Sequence, residues 1–412
     1  MTSTAPPFRR DRLLHGLIAV SAFSRAGDTV WAVAIAWTAV RLASPAVAGL
    51  VVAAGTVPRA LVLLYGGVVA DRIDALRLMR LTNLARTLVL AVTALLAWTQ
   101  HLSLGVLVAV VVLFGVTDAL YNPAQSTVPR QLLRTADLTA YYGANQTAAR
   151  LGGMAGAVVG GVLVATWGIG APASVDAGTF VLEGTFLLLV RPRYALRRAV
   201  PESALRSVAA GFVHLWHTPV TRTVVLTLSG LNLAVAPALD LGVALRAVNA
   251  GWGAHTVGYS EALVGLGATL GALGVIVVRP RRSGRWGFGL LLVQGLAIVA
   301  LGLGTRVVLF GGCVLIGVTA GAASALLGAV FSSVVDEAYL GRMASVQALG
   351  DDIFMPAATA LFGALAGAAL SLPFVLFGGV MAAAMALVLR NPVIRGLAPA
   401  LDAPRPDPVA EA

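Results

Sequence analysis

The sequence predicts an all-α membrane protein of twelve transmembrane helices in two pseudo-symmetric six-helix bundles. Three observations carry this expectation. The 412 residues are 58% hydrophobic and only 11% charged, against about 25% charged in an average soluble domain, and mean hydropathy is +0.88. Apolar windows of the roughly 20 residues needed to cross a bilayer core follow one another from Leu13 to Leu389. The arginines between those windows are plentiful in one set of bends and scarce in the alternate set.

The first window, at about 13–40, follows Arg9, Arg10 and Arg12 in a short polar N-terminus. Windows at about 46–69, 76–98, 103–125, 140–165 and 171–190 complete one group, and 220–245, 255–278, 286–304, 307–331, 341–368 and 371–389 form the other. Gly and Pro inside them do not argue against helices, because neighbours in a membrane bundle re-satisfy the backbone. Arg72, Arg77 and Arg80 follow the second window, Arg130 and Arg134 the fourth, and Arg191, Arg193, Arg197, Arg198 and Arg206 the sixth. Arg279, Arg281, Arg282 and Arg285 follow the eighth, Arg342 opens the eleventh, and Arg390 and Arg395 close the twelfth. The opposite bends hold Arg41, Arg246 and Arg306. The positive-inside rule then places both termini and the central loop of this multi-pass chain in the cytoplasm.

The longest connection, 192–219, divides a bundle at 1–191 from one at 220–390, and 391–412 reads as a cytoplasmic tail. Its stretch "SALRSVAAGFVHLWHTPVTR" has apolar residues at helical spacing, which suits an interfacial helix on the cytoplasmic face. His214 and His217 stand there without Cys or carboxylate beside them, so no metal site is expected. The two bundles resemble each other in "DLTAYYGANQTAARLGGMAGAVVGGVLV" and "AYLGRMASVQALGDDIFMPAATALFGALA". Matching Leu138 to Leu340 sets Asn145 opposite Gln347 and Arg150 opposite Asp352, the kind of weak internal repeat that transporters show.

Composition excludes several function classes. The net charge of +11 is spread by bend parity rather than clustered, so nucleic acid is not the expected partner. All 29 cations are arginine, which rules out a phosphate-cradling Gly-x4-Gly-Lys loop and hence ATP-driven pumping by this chain alone. The lone Cys313 excludes an intrachain disulfide. The first apolar run is too long for a cleavable signal peptide and lacks a small-residue cleavage site. No cofactor is expected, and the chain is expected to work as a monomer in the lipid bilayer.

One bend stands out. In "LVLLYGGVVADRIDALRLMRLTNL" two glycines are followed by Asp71, Arg72, Asp74, Arg77 and Arg80 before the next apolar run. A carboxylate at such a bend can cap a neighbouring helix, favoured by its dipole. With twelve windows and this bend after the second, the chain resembles the transporters of the major facilitator superfamily over essentially its full length. Their signature here reads Gly-x-Leu-Ala-Asp-Arg-x-Gly-Arg-Arg. Gly67, Ala70, Asp71 and Arg72 match it, whereas Asp74 and Ala75 depart from it and Arg77 partly restores the missing cation. The resemblance implies that Asp71 and Arg72 latch against the start of the eleventh span near Gly341 in one of two conformations.

Exporters of that superfamily often carry a glycine motif in the fifth span. Gly143, Gly152, Gly156, Gly160 and Gly161 keep its spacing, with Ala157 where proline is usual. Small residues four apart let helices pack closely without lipid-driven attraction, and the motif implies export. "SRAGDTVWAVAIAWTAV", "NPAQSTVPRQL", "GVLVATWGIGAPASVDAGTF" and "GRMASVQALGDDIFMPAATALFGALAG" are similar to the enterobactin-exporter-like and macrolide-efflux-like branch of drug:proton antiporters.

Ionisable groups inside a bilayer are costly and are functional candidates by default. Arg25 and Asp28 fall mid-way along the first span on one face, Arg59 along the second, Arg150 along the fifth, and Asp351 and Asp352 along the eleventh. Asp118 lies in the inner half of span four; Asp176, Asp240 and Glu261 lie towards the outer side of spans six to eight, and Glu183 lies deeper. The resembled fold lines its cavity with spans one, four, seven and ten, and sets two near eleven and five near eight. It therefore implies pairing of Arg59 with Asp351 or Asp352, and of Arg150 with Glu261, as static ion pairs or as partners exchanged during transport. Asp28 is the first expected proton-coupling residue, Asp118 the second, and Asp176 is expected to tie down a helix end. Phe23, Trp31, Trp37, Tyr121, Asn122, Asn232, Asp240 and Gln294 are the cavity candidates.

These readings lead to a secondary active transporter, a proton-coupled exporter of amphipathic small molecules or drugs working by alternating access. The alternative is a dedicated exporter of one metabolite, such as a siderophore or self-made antibiotic. A receptor or scaffold would not need so many charges at mid-membrane. An enzyme would want a His/Asp/Glu cluster or activated Ser at one face, and none is evident.

Overall fold

The computed structural model describes residues 6–72, 74–194, 213, 215–335, 339–391 and 394. Among them the chain is helical and contains no strand. The long helices are α1 (Arg12–Leu42), α2 (Pro45–Arg72), α3 (Ala75–Trp98), α4 (Leu104–Leu132), α5 (Leu138–Trp167) and α6 (Gly170–Leu189). A seventh rod, α7, runs through Pro219–Pro237, a π-helical turn at Ala238–Gly242, and Val243–Asn249. Then come α8 (His255–Val278), α9 (Ser283–Leu303), α10 (Arg306–Val334), α11 (Leu340–Ala368) and α12 (Leu372–Val388).

Nine of these are long and apolar enough to cross a membrane, and Pro45–Pro58 of α2 and Leu372–Val388 add shorter apolar segments. The remaining helix, α6, carries two carboxylates in its middle, Asp176 and Glu183. Two differences from the expected windows have physical causes. Helix α4 continues to Leu132 past Pro123 and Pro129, which a packed membrane helix tolerates. The π turn in α7 inserts extra backbone at Asp240, a break that hydropathy does not register. The amphipathic stretch expected between the bundles lies, apart from Val213 and residues 215–217, outside the described residues.

Sequence sets the helix ends locally. Asp11 caps α1 by accepting the N–H groups of Leu13 and Leu14 at 3.1 and 3.4 Å, and it also pairs with Arg193 beyond α6. Asp74, one of the departures from the resembled signature, caps α3 through the Arg77 N–H at 3.1 Å. Ser103 caps α4. Arg80 donates to the carbonyls of Leu187 and Val190 at 2.8–3.1 Å, covering orphan acceptors at the end of α6.

Within the first six helices α1 packs on α5 and α6, α2 on α4, and α3 on α4 and α6; in the rest, α8 packs on α10, α9 on α10 and α12, and α7 on α11. Helix pairs α2–α11 and α5–α8 join the two groups. These joints are closest at the face away from the N-terminus. Gly49 meets Gly363, where an added Cβ would sit 2.9 Å from the opposing Cα, and Gly161 meets Gly258 with a corresponding gap of 3.1 Å. Gly143 and Gly274, at the opposite ends of α5 and α8, have no such neighbour.

The apolar cores repeat this asymmetry. One large cluster joins Trp31, Ala39, Val51 and Leu107 to Leu241, Val257 and Phe362, linking both groups at the distal face. Towards the basic face, where Arg9, Arg10, Arg130 and Arg134 lie, the cores separate. Leu14, Leu76 and Leu132 belong to one cluster, and Leu215, Val225 and Met343 to another. The distal face is closed.

Helix α5 lies on α1 through three glycines. A Cβ at Gly152, Gly156 or Gly160 would run into the backbone at Ala22, Ala26 or Val30. Gly156→Leu is expected to lower the thermal midpoint of the purified protein strongly, because overpacking costs about 1–3 kcal/mol or more. Gly143→Leu, in open space, is expected to leave it unchanged.

Burial opposes the Asp11 carboxylate. The hydrogen bond and charge of Arg193, with the N–H groups of Leu14 and Leu13, outweigh burial and hold the carboxyl below its ordinary value of 3.8. A carboxyl depressed by folding stabilises the fold above its unfolded value, and that stabilisation is lost as pH falls through the folded one. Acidification below about pH 4 is therefore expected to lower the thermal midpoint of wild type more than that of Asp11→Asn.

Candidate functional site

A cavity of about 450 Å³ lies between the two helix groups. Its wall on one side comes from Arg25, Asp28 and Trp31 of α1, Thr56 of α2, Phe114 and Asp118 of α4 and Gly153 of α5. The other side is Asp240 on the π turn of α7 with Val257 and Glu261 of α8. Apolar and aromatic surface thus surrounds a few ionisable groups, the usual make-up of a small-molecule site.

The charges on the two walls are handled differently. Behind Asp118 stands Arg86 of α3, fully buried, with Nη2 2.5 Å from Asp118 Oδ1. Its guanidinium lies over the rings of Tyr121, Phe180 and Phe114 at 4.3, 5.1 and 5.5 Å. Asn122 donates to the other oxygen of Asp118 at 3.1 Å. Tyr121 in turn donates to Glu183 at 2.6 Å, and Glu183 also receives Asn83 at 3.1 Å and Ser21 at 3.4 Å. Asp28 is served poorly by comparison. Its Oδ2 lies 3.4 Å from Arg25, which also reaches Gln125 at 3.2 Å, and its buried Oδ1 has no partner. On the far wall, Asp240 and Glu261 make no hydrogen bond or ion pair with any described residue.

A family model described as Major Facilitator Superfamily matches residues 17–359. The chain belongs to the Major Facilitator Superfamily. Among curated relatives, the multidrug efflux pump Tap of Mycolicibacterium fortuitum is 26% identical over 394 residues, covering 86% of this chain and 91% of that protein. The solved nucleoside transporter NupG superposes with a TM-score of 0.72 at 14% identity, over 92% of this chain and 98% of its own. A D-xylose-proton symporter gives 0.70 at 12% identity, over 93% and 97%. A bacterial homologue of the iron transporter ferroportin in its inward-facing state gives 0.70 at 16%, over 93% and 97%. At these identities the structures speak for the fold alone. The chain is a multi-pass membrane transporter handling small molecules, not an enzyme.

In this facilitator, the expected site residues divide. Arg25, Asp28, Trp31, Asp118, Asp240 and Glu261 come together at the cavity. Tyr121 and Asn122 lie behind it and hold Glu183 and Asp118. Phe23 is exposed, Trp37 packs on the core, Gln294 is buried in α9, and none of them lines the cavity. Asn232 donates to Asp351 at 2.9 Å. Arg150 and Glu261 share a groove between α5 and α8 but form no ion pair within 4 Å. Asp176 does not sit at a helix end; it is buried six residues into α6, against Gly27 of α1. The side chains of Arg59, Asp71 and Arg72, the surroundings of Gly67, and the latch expected there lie outside what is described.

Arg86 is the residue that sequence reasoning missed. Its signal was present in "NLARTLVLAV", an arginine about 16 Å into a helix at 1.5 Å per residue. Removing one member of a buried ion pair costs about 3–5 kcal/mol, more than removing both. Arg86→Met is therefore expected to lower the thermal midpoint sharply, and Arg86→Met with Asp118→Asn to recover part of the loss. A double variant no better than the single one would mean that the pair is not the constraint described.

Proposed function

We propose that this chain is a proton-coupled exporter of amphipathic small molecules, with a preference for those carrying positive charge. It would act as a monomer by alternating access in a bacterial inner membrane, with both termini in the cytoplasm. The observation that carries the reading is the cavity shared by the two bundles, in which one wall holds its charges in pairs and the other presents bare carboxylates. The 26% likeness to a multidrug efflux pump supports drug export.

Each group has a role in this reading. Asp118 is committed to Arg86 and Asn122 and serves as the partner of the buried cation. Asp28 has an unpartnered oxygen at the cavity and one long contact to Arg25, so it is free to gain and lose a proton. Asp240 and Glu261 attract a cationic group across a site of low dielectric, where Coulomb attraction is stronger than in water. Trp31 and Phe114 offer aromatic surface to the apolar part of such a molecule. Substrate arrival and proton release then compete for the same negative charge, and the distal contacts at Gly49–Gly363 and Gly161–Gly258 part when the cavity turns outward.

Proteoliposomes with a trapped pH dye test this. Tetraphenylphosphonium, a macrolide and a siderophore are added in turn to wild type, Asp28→Asn, and Asp240→Asn with Glu261→Gln. Proton movement triggered by tetraphenylphosphonium is expected in wild type and absent in Asp28→Asn. The double variant is expected to raise the apparent KM for the cation about tenfold, a loss of roughly 1.4 kcal/mol, and to leave a neutral substrate unaffected. Movement undiminished in Asp28→Asn would transfer the coupling role to Asp118; movement with the siderophore alone would favour a dedicated exporter.

A further inference from the structure

The bundle of α1–α6 gathers four carboxyls about two guanidinium groups, three of the six groups at the cavity wall and three fully buried behind it. Arg25 and Arg86 supply the cations; Asp28, Asp118, Asp176 and Glu183 supply the carboxyls. Asp118 and Glu183 are well furnished with donors, whereas Asp176, fully buried in α6, has no guanidinium within ion-pair distance among the described residues. An ionised carboxyl there would leave uncompensated charge in a low-dielectric interior.

The surroundings of Asp176 favour a neutral carboxyl. The residue is 0% exposed, and a Cβ at Gly27 would collide with its Oδ1, so that glycine makes the notch the carboxyl occupies. Its Oδ2 has no hydrogen-bond partner among the described residues, and its Oδ1 receives Thr179 Oγ1 at 3.1 Å. That hydroxyl also reaches the Asp176 backbone carbonyl at 2.8 Å, so its single proton is shared between two acceptors and serves the carboxyl only in part.

We propose that Asp176 is protonated in this conformation and is a second proton-carrying site behind Asp28, so that the bundle exchanges two protons per cycle. The exchange rests on the proton-coupled reading above; the protonated state does not. The charged groups that act on Asp176 from neighbouring helices are Asp28 of α1, which is paired with Arg25, and Arg86 of α3. Asp118 on α4 engages that arginine, and Glu183 lies two turns further along α6. Helix α5 contributes Tyr141, in the core at the basic face, and Arg150, in the groove towards α8. Arg86 is thus the cation available to Asp176 when it ionises.

The full chain in lipid, followed by infrared spectroscopy in H₂O and D₂O, tests the first claim. A deuterium-sensitive carboxylic C=O band is expected in wild type, lost in Asp176→Asn, and moved to higher frequency in Thr179→Val, where the hydroxyl that bonds the carboxyl is gone. Asn keeps the shape and the donor, so Asp176→Asn is expected to hold its thermal midpoint; should it fail to fold, the Thr179→Val shift carries the test. A band unchanged in Asp176→Asn, or unshifted in Thr179→Val, overturns the protonated state. Reversal potentials for tetraphenylphosphonium exchange test the second claim: the proton-to-substrate ratio is expected to halve in Asp176→Asn. A band that disappears with the ratio intact makes the proton a fixed one and overturns the second site. Wild type that moves no protons sinks the coupling reading and the exchange with it, while the infrared result on Asp176 stands apart.

Discussion

Arg86 lies where a membrane protein least tolerates a cation, and the first six helices are arranged around its demands. No solvent reaches it, so three aromatic faces and one carboxylate replace its water. Those partners come from α4 and α6, which are thereby fixed to α3. Tyr121 extends the tie, since its ring covers the guanidinium while its hydroxyl holds Glu183. Holding one charge in this way ties three helices together, although the Arg86 Nε and Nη1 meet no acceptor among the described residues. The carboxyls that remain under-supplied, Asp28 and Asp176, belong to the two helices of the α1–α6 contact, where Asp176 seats against Gly27.

The two halves share a fold but not a chemistry. In the first, polar groups are numerous and mostly matched. In the second, α7, α11 and α12 enclose a groove of about 620 Å³ lined entirely by apolar residues such as Leu231, Leu365 and Phe377. Its ionic contribution to the cavity is two acids, Asp240 and Glu261, that make no hydrogen bond or ion pair with any described residue. One of them, Asp240, rides on the π turn, a distortion often found at functional sites. In the proposed reading the first half manages protons and the second meets the substrate.

Most of the architecture was legible because the bilayer imposes a coarse rule: spans must be long and apolar, and cations sort by side. Finer features escaped because they depend on direction around a helix. Span number puts Arg150 and Glu261 in adjacent helices, and they do share a groove, yet the side chains do not meet. Arg86 follows Arg80 so closely that it reads as part of the basic bend. Asp176 reads as one more carboxylate within its span, and nothing in the chain says that Gly27, 149 positions earlier, leaves a notch for it. Asp74 looked like a damaged signature residue; in three dimensions it is an ordinary helix cap. The glycine spacing in α5 was informative on packing, although Gly143 takes no part in it.

The distal seal has a consequence for speed. Where Gly49 meets Gly363 and Gly161 meets Gly258, main chain lies directly on main chain. At those four glycines no side chain stands between the two backbones, so parting them there resets no rotamer. The apolar cluster beside them, with Trp31, Val257 and Phe362, is the part of the seal whose side chains must separate. The glycine contacts thus bring the halves close without adding to the repacking that opening demands.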